Sequence, residues 1–260
     1  MITLTTGQLE AWMGLYLWPF FRIGACLMVA PIFAAGFVPP RVRLVIAGAL
    51  TILIAPLLPA QPAVSPLSGE GLLITAQQVL IGAALGFVVQ VIFDSLAMGG
   101  QLLANSMGLS FAFNVDPVHG ASTPVVGQFY MILATLMFVA LNGHLTVIET
   151  LVDGFRTLPV GVDGLGNNGL WQVTRWGEVI FRGALIVALP GLTALLIVNL
   201  AFGVVSRAAP SLNLFAIGFP VTLICGLLIV MAGLPSVQTS FTGMMREAFG
   251  LLGTLQGGAR

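Results

Sequence analysis

The sequence contains no lysine; all nine of its cations are arginine. This removes the phosphate-binding loop that ends in Gly-Lys-Ser/Thr, and with it Schiff-base and pyridoxal chemistry, which need a lysine amine. Cysteine is nearly absent. Cys26 and Cys225 lie far apart inside apolar runs, so there is neither a disulfide framework nor a metal-type spacing. The only histidines, His119 and His144, form no HExxH pair, and Gly108-Leu-Ser-Phe-Ala112 lacks the second glycine of a nucleophile elbow. The chain is therefore expected not to be an enzyme and to carry no cofactor and no metal. Charge of either sign is scarce, 7% of 260 residues, where soluble domains carry about 25%. The formal net charge is zero, so no basic field exists to hold nucleic acid.

What is present is apolar: 58% of the residues are hydrophobic and the mean hydropathy is +1.05. A membrane span needs roughly 20 such residues to cross a hydrocarbon core of about 30 Å. The pattern reads as an all-α membrane protein of kinked helical hairpins with about six hydrophobic segments. The first run, Ala11 to Val38, has no Lys or Arg before it and is too long for a cleaved signal. It reads as a retained span with a break near Pro31. The second, Leu44 to Leu58, is closed by Pro56 and Pro59 and leads into a Pro/Ser-rich loop up to Gly69. The third, Leu72 to Phe93, contains Gly82-Ala-Ala-Leu-Gly86, a spacing that lets helix backbones approach, though among 32 glycines it also arises by chance. Asp94 to Ser110 continues in helical pattern. The fourth run, Val125 to Leu141, stops at the turn Asn142-Gly-His144, and helical periodicity resumes from Leu145 to Phe155. Pro159 to Gly169 reads as a glycine-rich loop. The fifth run, Gly183 to Val205, is interrupted at Pro190-Gly191. The sixth, Leu214 to Leu234, holds Pro220, and Ser236 to Leu255 is a shorter amphipathic stretch.

The few charges inside or beside these runs are costly, about 2.5–3.5 kcal/mol each at the bilayer centre. Arg22 lies in the first run and Asp94 ends the third. Arg175, Glu178 and Arg182 lead into the fifth at spacings that place them on one helix face, where they can pair. Arg22 has no near partner in sequence; Asp94 across helices, or a polar cavity, would serve. Broken helices at membrane depth survive only when buried in protein or lining a cavity. Pro19, Pro31, Pro56, Pro190 and Pro220 therefore suggest hairpins that pack on neighbouring chains. The arginines give no clear orientation, since Arg41, Arg43 and Arg207 oppose Arg156, Arg175, Arg246 and Arg260. The segment from Gly108 to Gly127 reads as an apolar loop, its leading part, with Met107 just before it, carrying Leu109, Phe111, Phe113 and Val115 and one charge, Asp116. Loops normally meet water. This one is either buried in a partner or fills a pore, where apolar constrictions stop ions by dewetting.

Several segments occur together and in order: Ala30-Pro-Ile-Phe-Ala-Ala-Gly-Phe-Val-Pro-Pro-Arg-Val-Arg-Leu44, Met107-Gly-Leu-Ser-Phe-Ala112 with Asp116-Pro117, Asn142-Gly-His-Leu145, and Asn199-Leu-Ala-Phe-Gly-Val-Val-Ser-Arg207 followed by Pro210-Ser-Leu-Asn-Leu-Phe-Ala-Ile-Gly-Phe-Pro220. Over roughly residues 11 to 235 the chain resembles the R-type subunits of the bacterial flagellar export gate, which have a close counterpart in virulence injectisomes. The resemblance implies a helical multi-subunit gate at the inner membrane, in the flagellar basal body, built with P-type (FliP) and Q-type (FliQ) subunits and served by FlhB and FlhA. It implies unfolded flagellar proteins as the cargo. It divides the chain into a P-like part, 1–165, with a plug loop at 108–122, a Q-like hairpin, 166–235, and an amphipathic tail, 236–260. It places Met107, Leu109, Phe111, Phe113, Asn114, Asp116 and Pro117 in the plug. Arg22, Asp94, Arg175, Glu178, Arg182 and Arg207 remain as intramembrane charges or subunit contacts. A small-solute secondary transporter is the alternative of another class; it needs a mid-membrane site of broken helices, and here intramembrane acids are scarce and no inverted repeat is visible.

Overall fold

The computed structural model describes residues 6–59, 61–62, 64–109, 125–208 and 214–257, and these are helical with no strand among them. The helices are α1 Thr6–Val29, α2 Pro40–Ile54 with a 3-10 turn at Ala55–Leu57, α3 Gly69–Ser106, α4 Val125–Ala140, α5 Gly143–Thr157, α6 Gly166–Trp176, α7 Glu178–Ala208 and α8 Leu214–Gly257. Five are long and apolar enough to cross a membrane, and up to six spans result if α4 and α5, bent by 65° at their junction, count as one. The fold is an all-α membrane protein.

Prolines break fewer helices than their positions suggest. Pro19, Pro190, Pro220 and Pro235 all sit inside continuous helices. A proline removes one main-chain hydrogen bond and crowds the preceding turn, but it leaves the remaining ladder of a long apolar helix intact. Hence α7 runs through Pro190, where an interruption was expected, and α8 continues through Pro235 to Gly257. Chain breaks fall at Pro31, past the end of α1, and at Pro56 in the 3-10 turn; Pro40 starts α2, where its missing N–H is no loss. The glycine-rich loop is shorter than the sequence pattern predicts, because α6 begins at Gly166. Asp94 to Ser106 simply extends α3.

The chain forms two compact units that do not follow chain order. The first comprises Met1–Val91, Phe138–Gly177 and Glu247–Arg260. Here α1 lies against the first half of α3 through Gly82 and Gly86. A Cβ at Gly86 would stand 2.7 Å from Cys26 O and 2.9 Å from Ala30 N, and one at Gly82 would overlap Arg22 O. The paired glycines are therefore the packing face, not a chance spacing. Arg43 fastens the turn between α1 and α2, its Nη2 donating to the carbonyls of Ala34, Ala35 and Val38 at 2.9–3.1 Å. That turn carries Ile32 at φ +70°, a strained value for a β-branched residue, and three hydrogen bonds from one guanidinium help hold the segment that contains it.

The second unit comprises Ile92–Met137 and Glu178–Arg246. It is fitted by small residues. A Cβ at Gly100 would lie 2.8 Å from Gly127 Cα, and one at Gly99 would lie 3.1 Å from Ala184 O. Gly183 admits Ser95 and Met244, and Gly191 admits Leu103 and Ile229. Phe93 meets Phe241 edge to face at 5.9 Å. The outward surface is apolar: Leu136, Leu196, Leu200, Leu228 and Met231 are each more than 60% exposed. A soluble monomer does not leave so much apolar surface uncovered; lipid or protein must cover it.

Candidate functional site

Two features combine unusual chemistry with rigid support. The first is the pair of helix ends that flank residues 110–124, a segment whose sequence reads as a loop. Helix α3 ends in a left-handed glycine, Gly108 at φ +79°, with Gly108 N–H donating to Asn105 O at 3.1 Å and Leu109 N–H to Ala104 O at 3.0 Å. This pair of bonds is the Schellman stop, and glycine is there because an L side chain is strained at that φ. Just before it, Met107 is buried to 1% exposure and fills the space that Gly226 of α8 leaves open. Leu109 is half-buried. Across the base, Gly100 and Gly127 bring α3 and α4 into backbone contact. The loop thus leaves from a close-packed support. Of the predicted plug residues, Met107 and Leu109 belong to that support, while Phe111, Phe113, Asn114, Asp116 and Pro117 lie outside the described residues.

The second is Arg22, fully buried in α1. Its Nε donates to Gln78 Oε1 at 2.7 Å, and its Nη1 donates to Gly154 O at 3.1 Å and Leu158 O at 2.9 Å. Its guanidinium carbon sits 4.3 Å from the Phe155 ring centroid. The charge is held by neutral acceptors and an aromatic face, not by an acid such as Asp94. Gly154 and Leu158 carry the negative end of the α5 dipole, which offsets part of the cost of burying a cation. Gln256 of α8 uses the same carbonyl row, donating from Nε2 to Thr150 O at 2.8 Å. Gly154 makes this possible, because a Cβ there would stand 2.9 Å from Gln256 Nε2.

Arg175 lies in the last turn of α6, and Glu178 and Arg182 lie at the start of α7, with only Gly177, itself in right-handed helical conformation, between the two helices. All three are exposed, as is Arg207. Glu178 in the first turn of α7 and Arg207 in its last turn match the helix dipole. Asp94 is half-buried in α3 and has an interaction partner. Among the described residues no three of His, Cys, Asp or Glu gather into a possible metal site. Sequence reasoning missed Gln78, Gly154, Gln256, Gly226 and Arg43. Only Arg43 carried a local signal, a cation next to a Pro-Pro turn.

A family profile described as "Bacterial export proteins, family 1" matches residues 13–248. The chain is 41% identical over 252 residues to the "Flagellar biosynthetic protein FliR" of Escherichia coli (strain K12), covering 97% of this chain and 96% of that protein. The chain belongs to the FliR family of bacterial export proteins. It is also 36% identical to the FliR of Pectobacterium carotovorum subsp. carotovorum, with the same coverage, and 26% identical to that of Bacillus subtilis (strain 168) over 80% of this chain and 81% of the relative. The matched stretch takes in both the loop base at Met107–Leu109 and the Arg22 cluster, so this FliR-family chain carries both features inside its family-defining region.

Proposed function

We propose that this chain is a structural and gating subunit of the flagellar type III protein export gate, contributing to the path by which unfolded flagellar proteins cross the bacterial inner membrane at the basal body. The observation that carries the reading is the close packing of the helix ends that flank residues 110–124. A loop that must move aside for a polypeptide and return needs an anchor that stays put, and Met107 on Gly226, with the Schellman stop at Gly108, supplies one. The apolar residues beyond it, Phe111 and Phe113, stop ions by dewetting when no cargo is present. The phenylalanine rings beyond the anchor present flat apolar faces to varied side chains passing by. The energy for transport comes from elsewhere in the machine.

The exposed apolar faces of α4, α7 and α8 are then seats for P-type and Q-type subunits, with FlhB and FlhA as further partners. The flagellar names of the relatives favour a flagellar over an injectisome assignment. The test is conductance. Deleting residues 110–120 is expected to raise ion leakage through the assembled gate; unchanged leakage leaves the loop a packing role only. Co-expression with P- and Q-type subunits is expected to give a stable complex, and a well-behaved solitary monomer in mild detergent would contradict the assembly.

A further inference from the structure

The first unit contains an open cleft of about 700 Å³ that the gate reading does not use. Its walls are the end of α5, the turn from Pro159 to Leu165, the start of α6 and the last turn of α8 at Thr254 and Leu255. The size suits a bound ligand segment. The chemistry of the lining narrows the class. Among the described residues no Arg or His lines it, and the chain has no Lys, so a phosphate or other anion finds no cationic side chain among them. Asp163 is the one carboxylate among the described lining residues, too few for a divalent cation. Among the same residues no aromatic ring is present to stack a base or sugar. Instead the cleft offers amides, Asn167, Asn168 and Gln172, which both donate and accept. The first turn of α6 adds main-chain N–H groups that have no intrahelical partner, and no side chain caps that end. Gly166, at φ +61° with nothing within 4 Å of a Cβ, leaves main chain open at the cleft wall, whereas Gly164, at φ +55°, is glycine because Gln77 occupies the place of a side chain.

We infer that this cleft binds an extended segment of a partner polypeptide, with a basic side chain of that segment placed against Asp163. Main-chain groups and amides match a peptide backbone, and the single acid sets the register. This is a second interaction site, separate in its residues from the loop base. The probe is p-benzoylphenylalanine placed at Asn168 in the full-length chain in living bacteria, with photo-adducts mapped by mass spectrometry. The expected result is a polypeptide adduct whose attachment point lies within two residues of a Lys or Arg. Asp163→Lys is expected to cut the adduct yield about fivefold or more, and Asp163→Asn less. The inference is overturned by attachment beside acidic residues or to the chain's own residues 258–260. It is equally overturned by adducts to lipid or glycan only, by a yield indifferent to Asp163→Lys, or by no adduct while the same probe at Leu228 labels in parallel. The same probe at Phe113 reports on the gate reading alone, so the two can fail independently.

Discussion

Alanine in place of Gly100 is expected to destabilise the protein, although alanine is the better helix former. A methyl group at residue 100 would lie 2.8 Å from Gly127 Cα, 2.8 Å from Val126 O and 2.9 Å from Gly127 N. All three are main-chain atoms, so no rotamer change relieves the contact. Ordinary contact begins at 3.4 Å, so α3 and α4 must part by about 0.6 Å at this point. A gap of that size forfeits a quarter or more of each dispersion contact around it, and overpacking of this kind costs about 1–3 kcal/mol. The helix-propensity gain of alanine over glycine returns up to about 1 kcal/mol. Because the opposing atoms are main chain, the overpacking cost falls in the upper part of that range, about 2–3 kcal/mol, and the net loss is about 1–2 kcal/mol. Gly253 on α8 provides the control: it is exposed, with nothing within 4 Å of a Cβ, so Gly253→Ala keeps only the gain. The same substitution should therefore have opposite signs at two helical sites. The assay is thermal aggregation in isolated membranes, read from the extractable chain. Gly100→Ala is expected to lower the midpoint by roughly 2–8 °C, and Gly253→Ala to leave it level or raise it. Equal midpoints for the two variants would refute the close-packing argument.

Three further outcomes are expected. Arg22→Met should cost about 2–4 kcal/mol in the same assay, because Gln78 Oε1 and Leu158 O lose their donors while relief of the buried charge offsets part of the loss. Adding Gln78→Met should restore some stability by removing one orphaned group, and a double variant worse than additive would contradict this. Gly226→Ala would press a Cβ to 2.5 Å from Met107 Cγ and 2.6 Å from its Cε; the buried side chain must re-pack as a whole, so a stability cost of about 1–3 kcal/mol is expected together with a rise in ion leakage through the assembled gate. Gly154→Ala and Gln256→Leu should each speed amide hydrogen exchange in residues 247–257 by releasing the 2.8 Å bond to Thr150 O, and unchanged protection in both would show that the end of α8 is held by apolar packing alone.

Much of the fold follows from run length. Spans of apolar residues near the bilayer thickness and the turn at Asn142-Gly143 are local signals, and helices begin or end where those signals fall. The prolines misled because their cost is local, whereas the decision to continue α7 or α8 is made by the whole helix. Gly82 and Gly86 were visible as a spacing, but a spacing does not say whether a partner backbone lies opposite. The Arg22 cluster was unreadable for a simple reason: its partners are 56, 132 and 136 residues away. A buried arginine announces that it needs acceptors, and only the tertiary structure says that two of them are the carbonyls at the end of α5. The loop base shows the same division. The helical pattern runs on to Ser110 in the sequence, whereas the structure stops α3 at Gly108, and Met107 on Gly226 depends on α8 returning past it.

The lengths of α3 and α8 carry a consequence for membrane topology. At 1.5 Å per residue their 38 and 44 residues extend roughly 57 and 66 Å, about twice the hydrocarbon thickness. Tilting cannot absorb this mismatch: it would take inclinations of roughly 58° and 63°, whereas transmembrane helices lean by 0–40°. Even at the steepest usual lean, on the order of 20 Å of α8 stands clear of the acyl chains. Reporter fusions placed by a hydropathy plot should therefore find water-accessible positions within stretches that such a plot assigns wholly to lipid.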